Sequence, residues 1–178
     1  KRISQFMDIY LPNGNKDSYP VVIVIHGSGW RANNKKSSDY GRNIFVNPLT
    51  QKNFAVAIIN HRSSTLDSIY PAQIHDVKAA VRYLRAKAKE LNLDTSFIGI
   101  TGYSSGGHLA AMAGTSSYDR SVEGNVGKYL NFSSHIDAVV DFYGPTDMSV
   151  FDDCLKTMGK QFKSPRKITL FDNFVDQV

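Results

Sequence analysis

Apolar residues fall into short blocks along this chain, and the spacing within each block suggests an element. Gln5 to Leu11 alternates and ends at Pro12-Asn13-Gly14, which predicts a strand and a turn. Val21-Val22-Ile23-Val24-Ile25 is continuously apolar and β-branched, the mark of a strand buried on both faces. Phe54 to Ile59 reads the same way. Pro71 suits the opening turn of a helix. Ile74, Val77, Val81, Leu84, Ala88 and Leu91 then form one helical stripe, with Lys78, Arg82, Arg85 and Lys89 expected on a solvated flank. Asp76 is expected in the first turn, where negative charge is favourable. His75 is expected on the solvent face. Phe97 to Gly102 predicts a further strand, Ser105 to Ala113 a helix stopped by Gly114, and Ile136 to Tyr143 another strand broken at Gly144-Pro145. Residues 31–53 and 115–135 are polar excursions; the second either covers a site or is only surface loop. The alternation of buried strands with helices predicts an α/β domain with a mainly parallel, doubly wound sheet, whose sites lie at the C-terminal strand ends.

Composition narrows this picture without redirecting it. The 178 residues are 42% hydrophobic and 21% charged, values of an ordinary globular chain. A chain of this length buries roughly 70% of its unfolded surface, enough for a core without staples. Cys154 stands alone, so no disulfide framework exists within the chain. No apolar run approaches the ~20 residues of a membrane span. Charge is uneven: residues 1–89 carry 14 Lys/Arg against 5 Asp, and residues 90–178 carry 7 against 11 acids. The basic residues are scattered over several elements, with no tract and no nucleic-acid motif, so the expectation is a solvated surface and no nucleic-acid partner.

The chemistry concentrates in Gly102-Tyr103-Ser104-Ser105-Gly106-Gly107, between a predicted strand and a predicted helix. A G-x-S-x-G elbow lifts a serine hydroxyl above the sheet, and its glycines let strand and helix pass closely. Ser104 is therefore the candidate nucleophile. The Ser105 amide, at a helix N-terminus, is a candidate oxyanion donor. His26-Gly27-Ser28-Gly29-Trp30 follows a buried strand and so reaches the same sheet edge. The amides of Ser28 and Gly29 are the other candidate donors. His26 is read as a structural tie. Trp30 either lines a substrate pocket or packs.

Together these segments resemble the α/β-hydrolase fold, in the esterase/lipase group with an H-G-G-G-W type loop, and within it the branch of bacterial feruloyl and acetyl-xylan esterases. The likeness is carried by Asp8 to Pro12, His26 to Trp30, Pro71 to Arg82, Gly102 to Leu109 and Val139 to Asp147. Ser28 departs from it, standing where the family usually has Gly. The resemblance implies hydrolysis of small or carbohydrate-linked carboxylic esters through an acyl-enzyme, with no metal or cofactor. A prolyl-oligopeptidase-like peptidase and a noncatalytic binding protein are the alternatives.

An acid–base pair is harder to find. In this fold the order is Ser, then Asp or Glu, then His. His108 lies one turn down the elbow helix. His135 and Asp137 precede a strand, at the wrong edge. His61 ends a strand on the right side but comes too early in the chain. Asp147 is expected to brace its loop, and Asp141 lies inside a strand. The family carries its Asp and His on the last strands and helices. The expectation is an α/β-hydrolase core over 1–178, incomplete at both ends and at most weakly active alone.

Overall fold

The computed structural model describes residues 5–31, 41–64 and 68–150, together with Asp153, Lys156 and Thr157. Five strands form one sheet: β1 (Met7–Tyr10), β2 (Tyr19–Ile25), β3 (Ala55–Ile59), β4 (Leu93–Tyr103) and β5 (Ala138–Phe142). Their spatial order is β1-β3-β2-β4-β5. β1 runs antiparallel to β3, and all other neighbours are parallel. Ile25 is level with Ile59 and Gly102, and Tyr103 with Phe142. The loops leaving β2, β3, β4 and β5 therefore emerge along one edge.

The continuous apolar runs become the central strands. Every residue of β3 is buried, as are Val21, Ile23, Val24 and Ile25 of β2 and Ile98 and Ile100 of β4. Helix α2 (Ala72–Ala86) contributes Ile74, Val77, Val81 and Leu84 to the core, and helix α3 (Ser105–Thr115) contributes Leu109, Ala110 and Ala113. A second cluster joins Phe45 and Val46 to Val24, Val56 and Ile58. Phe45 and Val46 belong to a π-helical turn, Arg42–Val46, that runs into the short helix α1 (Asn47–Gln51). This helical segment lies within the polar excursion after β2. Part of that excursion, 32–40, falls outside the described residues, as does Cys154. The residues up to Gly144 make one compact unit, and those from Pro145 onward a second.

Helix α2 departs from its sequence reading in three ways. It ends at Ala86, so Ala88 and Leu91 lie beyond the apolar stripe. Lys78 and Arg82 are not on a solvated flank: both are fully buried. They hold residues 116–134 against the helix. Lys78 Nζ donates to Ser116 O at 2.7 Å and Glu123 Oε2 at 3.1 Å, while Arg82 pairs with Glu123 Oε1 and donates to Val126 O at 2.9 Å. Burying a cation is tolerable only with such partners. His75 is covered too, since Gly124 sits so close over its ring that a Cβ there would collide with it. Third, Asp76 is not in the first turn. It is a buried acceptor for Arg62, with Oδ2 at 2.8 Å from the backbone N and 2.9 Å from Nε, and Oδ1 at 2.9 Å from Nη2. Gln5 Nε2 donates to the same carboxylate at 2.8 Å.

Candidate active site

The site begins at the junction of β4 and α3. Glycine at 106 is required by close approach: a Cβ there would overlap the Ile25 carbonyl, where the helix passes over the end of β2. Gly102 faces the same limit against the Gly106 carbonyl. Between them Ser104 takes φ 55°, ψ −127°, a left-handed conformation that costs a non-glycine residue of order 1–3 kcal/mol. Its amide donates to Phe142 O at 2.9 Å, which ties the strained residue to the end of β5. Ser105 is the first residue of α3 and is buried. Its N–H is a first-turn donor with no carbonyl one turn back to accept it.

The loop after β2 is folded against this elbow. Ser28 N donates to Ser105 Oγ at 2.9 Å, a contact between residues 77 apart in sequence. Gly29 and Trp30 are consecutive left-handed residues, φ 57° and 58°, inside a turn closed by Arg31 N to Ser28 O at 3.2 Å. Gly29 is the position that needs glycine for conformation. A Cβ added there meets no described residue within 4 Å. The Gly29 amide has no acceptor among the described residues. Successive amides in such a turn make an anion-binding concavity.

The remaining residues of the edge support this loop. Trp30 is 3% exposed and meets the His108 ring edge-on at 5.4 Å, so it packs rather than lines a pocket. Ser64 N donates to Trp30 O at 2.6 Å. His26 and His61 are both buried and stack at 5.3 Å, with 16° between their planes. His61 Nδ1 donates to Arg62 O at 2.8 Å, and burial pushes the ring's pKa below its usual value. Such a ring is a poor base for Ser104: it is enclosed, and its one donor points back along its own chain. Burial likewise lowers the pKa of His108. Phe45, stacked on Tyr103 at 6.2 Å and edge-on to Phe142 at 5.8 Å, builds an aromatic wall beneath the elbow.

Asp141, Asp147 and Asp137 have local tasks. Asp141 Oδ1 accepts from Gly144 N at 2.9 Å, fixing the turn after β5. In the second unit Asp147 accepts from Ser149 N at 2.9 Å and Ser149 Oγ at 2.5 Å, bonds that hold its carboxyl below the usual carboxylate range. Asp137 lies at the opposite edge, accepting from Ile98 N at 2.7 Å, with His135 Nε2 at 3.3 Å. No described residue makes a hydrogen bond to the Ser104 hydroxyl. No cluster of metal-ligating side chains occurs among the described residues, and no described helix is long and apolar enough to cross a membrane. A cavity of about 770 Å³ lies elsewhere, bordered by Met7, Ile9, Tyr83 and Tyr129, and includes none of the four candidate site residues.

Comparison with known proteins identifies the family and the fold. The BD-FAE family profile matches residues 7–177. The chain is 30% identical over 139 residues to the probable carboxylic ester hydrolase LipM of Mycobacterium tuberculosis, covering 78% of this chain and 31% of LipM. Among solved structures it is similar to a bifunctional GH43-CE protein of Bacteroides eggerthii, with 50% identity and a TM-score of 0.82 over 86% of this chain and 21% of that one. It is also similar to a truncated form of a carbohydrate esterase from gut microbiota, with 48% identity and a TM-score of 0.80 over 85% and 55% of the two chains. The chain thus spans between about a fifth and just over half of the length of these proteins. By fold, by elbow and by this match, it belongs to the BD-FAE family of α/β-hydrolase esterases.

Proposed function

We propose that the protein hydrolyses carboxylic esters, small or carbohydrate-linked, with Ser104 as nucleophile. One observation carries this reading. The Ser28–Ser105 hydrogen bond brings the loop with a left-handed Gly29 against the strained elbow of Ser104. In the proposed reaction Ser104 Oγ attacks the ester carbonyl carbon. The negative charge that forms on the carbonyl oxygen is met by the amides of Gly29 and Ser105, with Ser28 as a third candidate. Donors of this kind are worth about 3 kcal/mol each in the transition state. The alcohol departs with a proton, and water then attacks the acyl-enzyme and frees the acid. A His–Asp pair deprotonates Ser104 and activates that water. The family resemblance puts this pair in the segments that follow β5. The similarity to a carbohydrate esterase supports a sugar-linked ester as substrate.

The test is hydrolysis of p-nitrophenyl acetate and of acetylated xylan by the full-length protein. The expected outcome is turnover of both, and loss of at least about a thousandfold in Ser104→Ala. A folded protein that cleaves peptide amides but neither ester would overturn the reading.

A further inference from the structure

The hydroxyl of Ser105 has no task in the chemistry above, yet it is buried and accepts the Ser28 N–H at 2.9 Å. The same residue thus presents its own amide at the N-terminus of α3 and fixes a neighbouring amide with its side chain. The loop is held independently at both ends. At one end, Gly27 leaves no room for a Cβ against Tyr103 O, which would stand 2.6 Å away. At the other, Trp30 O accepts from Ser64 N and the indole packs on His108. Between these points a Cβ at Gly29 would meet no described residue within 4 Å, so Gly29 takes its position from its neighbours. Of these, Ser28 is tied to α3 by a hydrogen bond to the Ser105 oxygen.

We propose that the Ser105 hydroxyl is a positioning group that latches the loop to the elbow, and that the oxyanion hole consequently has two amides, those of Gly29 and Ser105. The inference rests on the esterase reading for the use of the hole but not for the existence of the latch. The Ser28 N–H is committed to the latch and so is not counted as a donor to the substrate oxygen. The Gly29 amide, one residue on, is thereby held in place before substrate arrives. Preorganised donors act on the transition state more than on the bound ester, so a loosened latch lowers kcat with little effect on KM.

Two measurements on the full-length protein test this. The first is residue-resolved amide hydrogen exchange. The latch requires the Ser28 amide to be protected in the unaltered protein and the Gly29 amide to exchange much faster. In Ser105→Ala the Ser28 protection falls by at least about tenfold while the β2 amides keep theirs, and Ser105→Thr, which retains the oxygen, keeps Ser28 protected. The second is hydrolysis of p-nitrophenyl acetate. Ser105→Ala is expected to lower kcat about tenfold with KM within about twofold, and Ser105→Thr to recover most of the loss. Equal exchange at Ser28 and Gly29 in the unaltered protein overturns the latch without any variant. Unchanged or higher kcat in Ser105→Ala, with Ser28 deprotected, overturns it in favour of a three-amide hole. If the unaltered protein hydrolyses no ester, the esterase reading fails, and exchange at Ser28 still decides the latch.

Discussion

Ser104 has a left-handed backbone, held by the Phe142 carbonyl and by the crowded glycines on either side. Glycine adopts that conformation without strain. Ser104→Gly is therefore expected to raise the unfolding free energy by about 1 kcal/mol relative to Ser104→Ala, measured in urea, while both remove the proposed nucleophile. The histidines make a second residue-scale case. His61 titrates lower in the folded protein than its ordinary value of 6.5 because burial opposes the charged ring, although the Arg62 carbonyl and Asp76 work the other way. A group with a depressed histidine pKa favours the folded state when neutral. Its contribution is complete above pH 6.5 and is lost as pH falls below that value, where the unfolded chain binds the proton more readily. His75 and His108 shift in the same direction. His61→Phe is expected to flatten the decline of the urea midpoint between about pH 6.5 and 5 without abolishing it. An unchanged slope would remove His61 from this role. The candidates Ser104, Ser105, Ser28 and Gly29 were legible in the sequence because an elbow and a glycine loop are backbone patterns, readable from residue size and order. The stacking of His26 on His61 was not, since it joins the ends of two strands that are neighbours only through sheet order.

At the scale of elements, helix α2 shows why a helical wheel misplaces charge. Lys78 and Arg82 fall opposite the apolar stripe and read as solvated, but residues 116–134 return to cover them. Glu123, 45 residues from Lys78 and 41 from Arg82, supplies the shared carboxylate. Nothing local to the helix announces a partner so distant in sequence. Ser134, Lys78 and Arg82 together hold the Glu123 carboxyl below its usual range, outweighing the opposing effect of partial burial. Truncating Glu123 removes the carboxylate that Lys78 and Arg82 share as an ion-pair partner. Glu123→Ala is expected to lower the unfolding free energy by about 3 kcal/mol, and Glu123→Asp by less, in urea denaturation monitored by circular dichroism. A loss below about 0.5 kcal/mol would mean that the pairing is no stronger than a surface ion pair. The helical segment from Arg42 to Gln51 escaped the pattern for a different reason. Its surroundings are rich in Asn, Lys and Ser, and its apolar residues Ile44, Phe45, Val46 and Leu49 are too few for a long stripe. Pro48 early in the helix was the available signal.

For the whole molecule, the parallel strand order makes four loops share one edge, and this is what turns scattered motifs into one site. The buried runs of β2, β3 and β4 foretold the sheet because strands covered on both faces must be apolar throughout. Register then carried the inference further: Ile25 beside Gly102, and Tyr103 beside Phe142, place the glycine loop and the serine elbow next to each other. The edge carries the proposed nucleophile and the proposed amide donors, and neither the enclosed His61 nor the half-buried His108 makes a hydrogen bond to the Ser104 hydroxyl. The proposed chemistry requires Ser104 to be the activated nucleophile of the protein. Its most direct test is reaction of the full-length protein with a fluorophosphonate probe, followed by peptide mapping. The expected result is a single adduct on Ser104, absent from a folded Ser104→Ala variant. A folded protein that stays unlabelled, or one labelled at a different serine, would contradict the account.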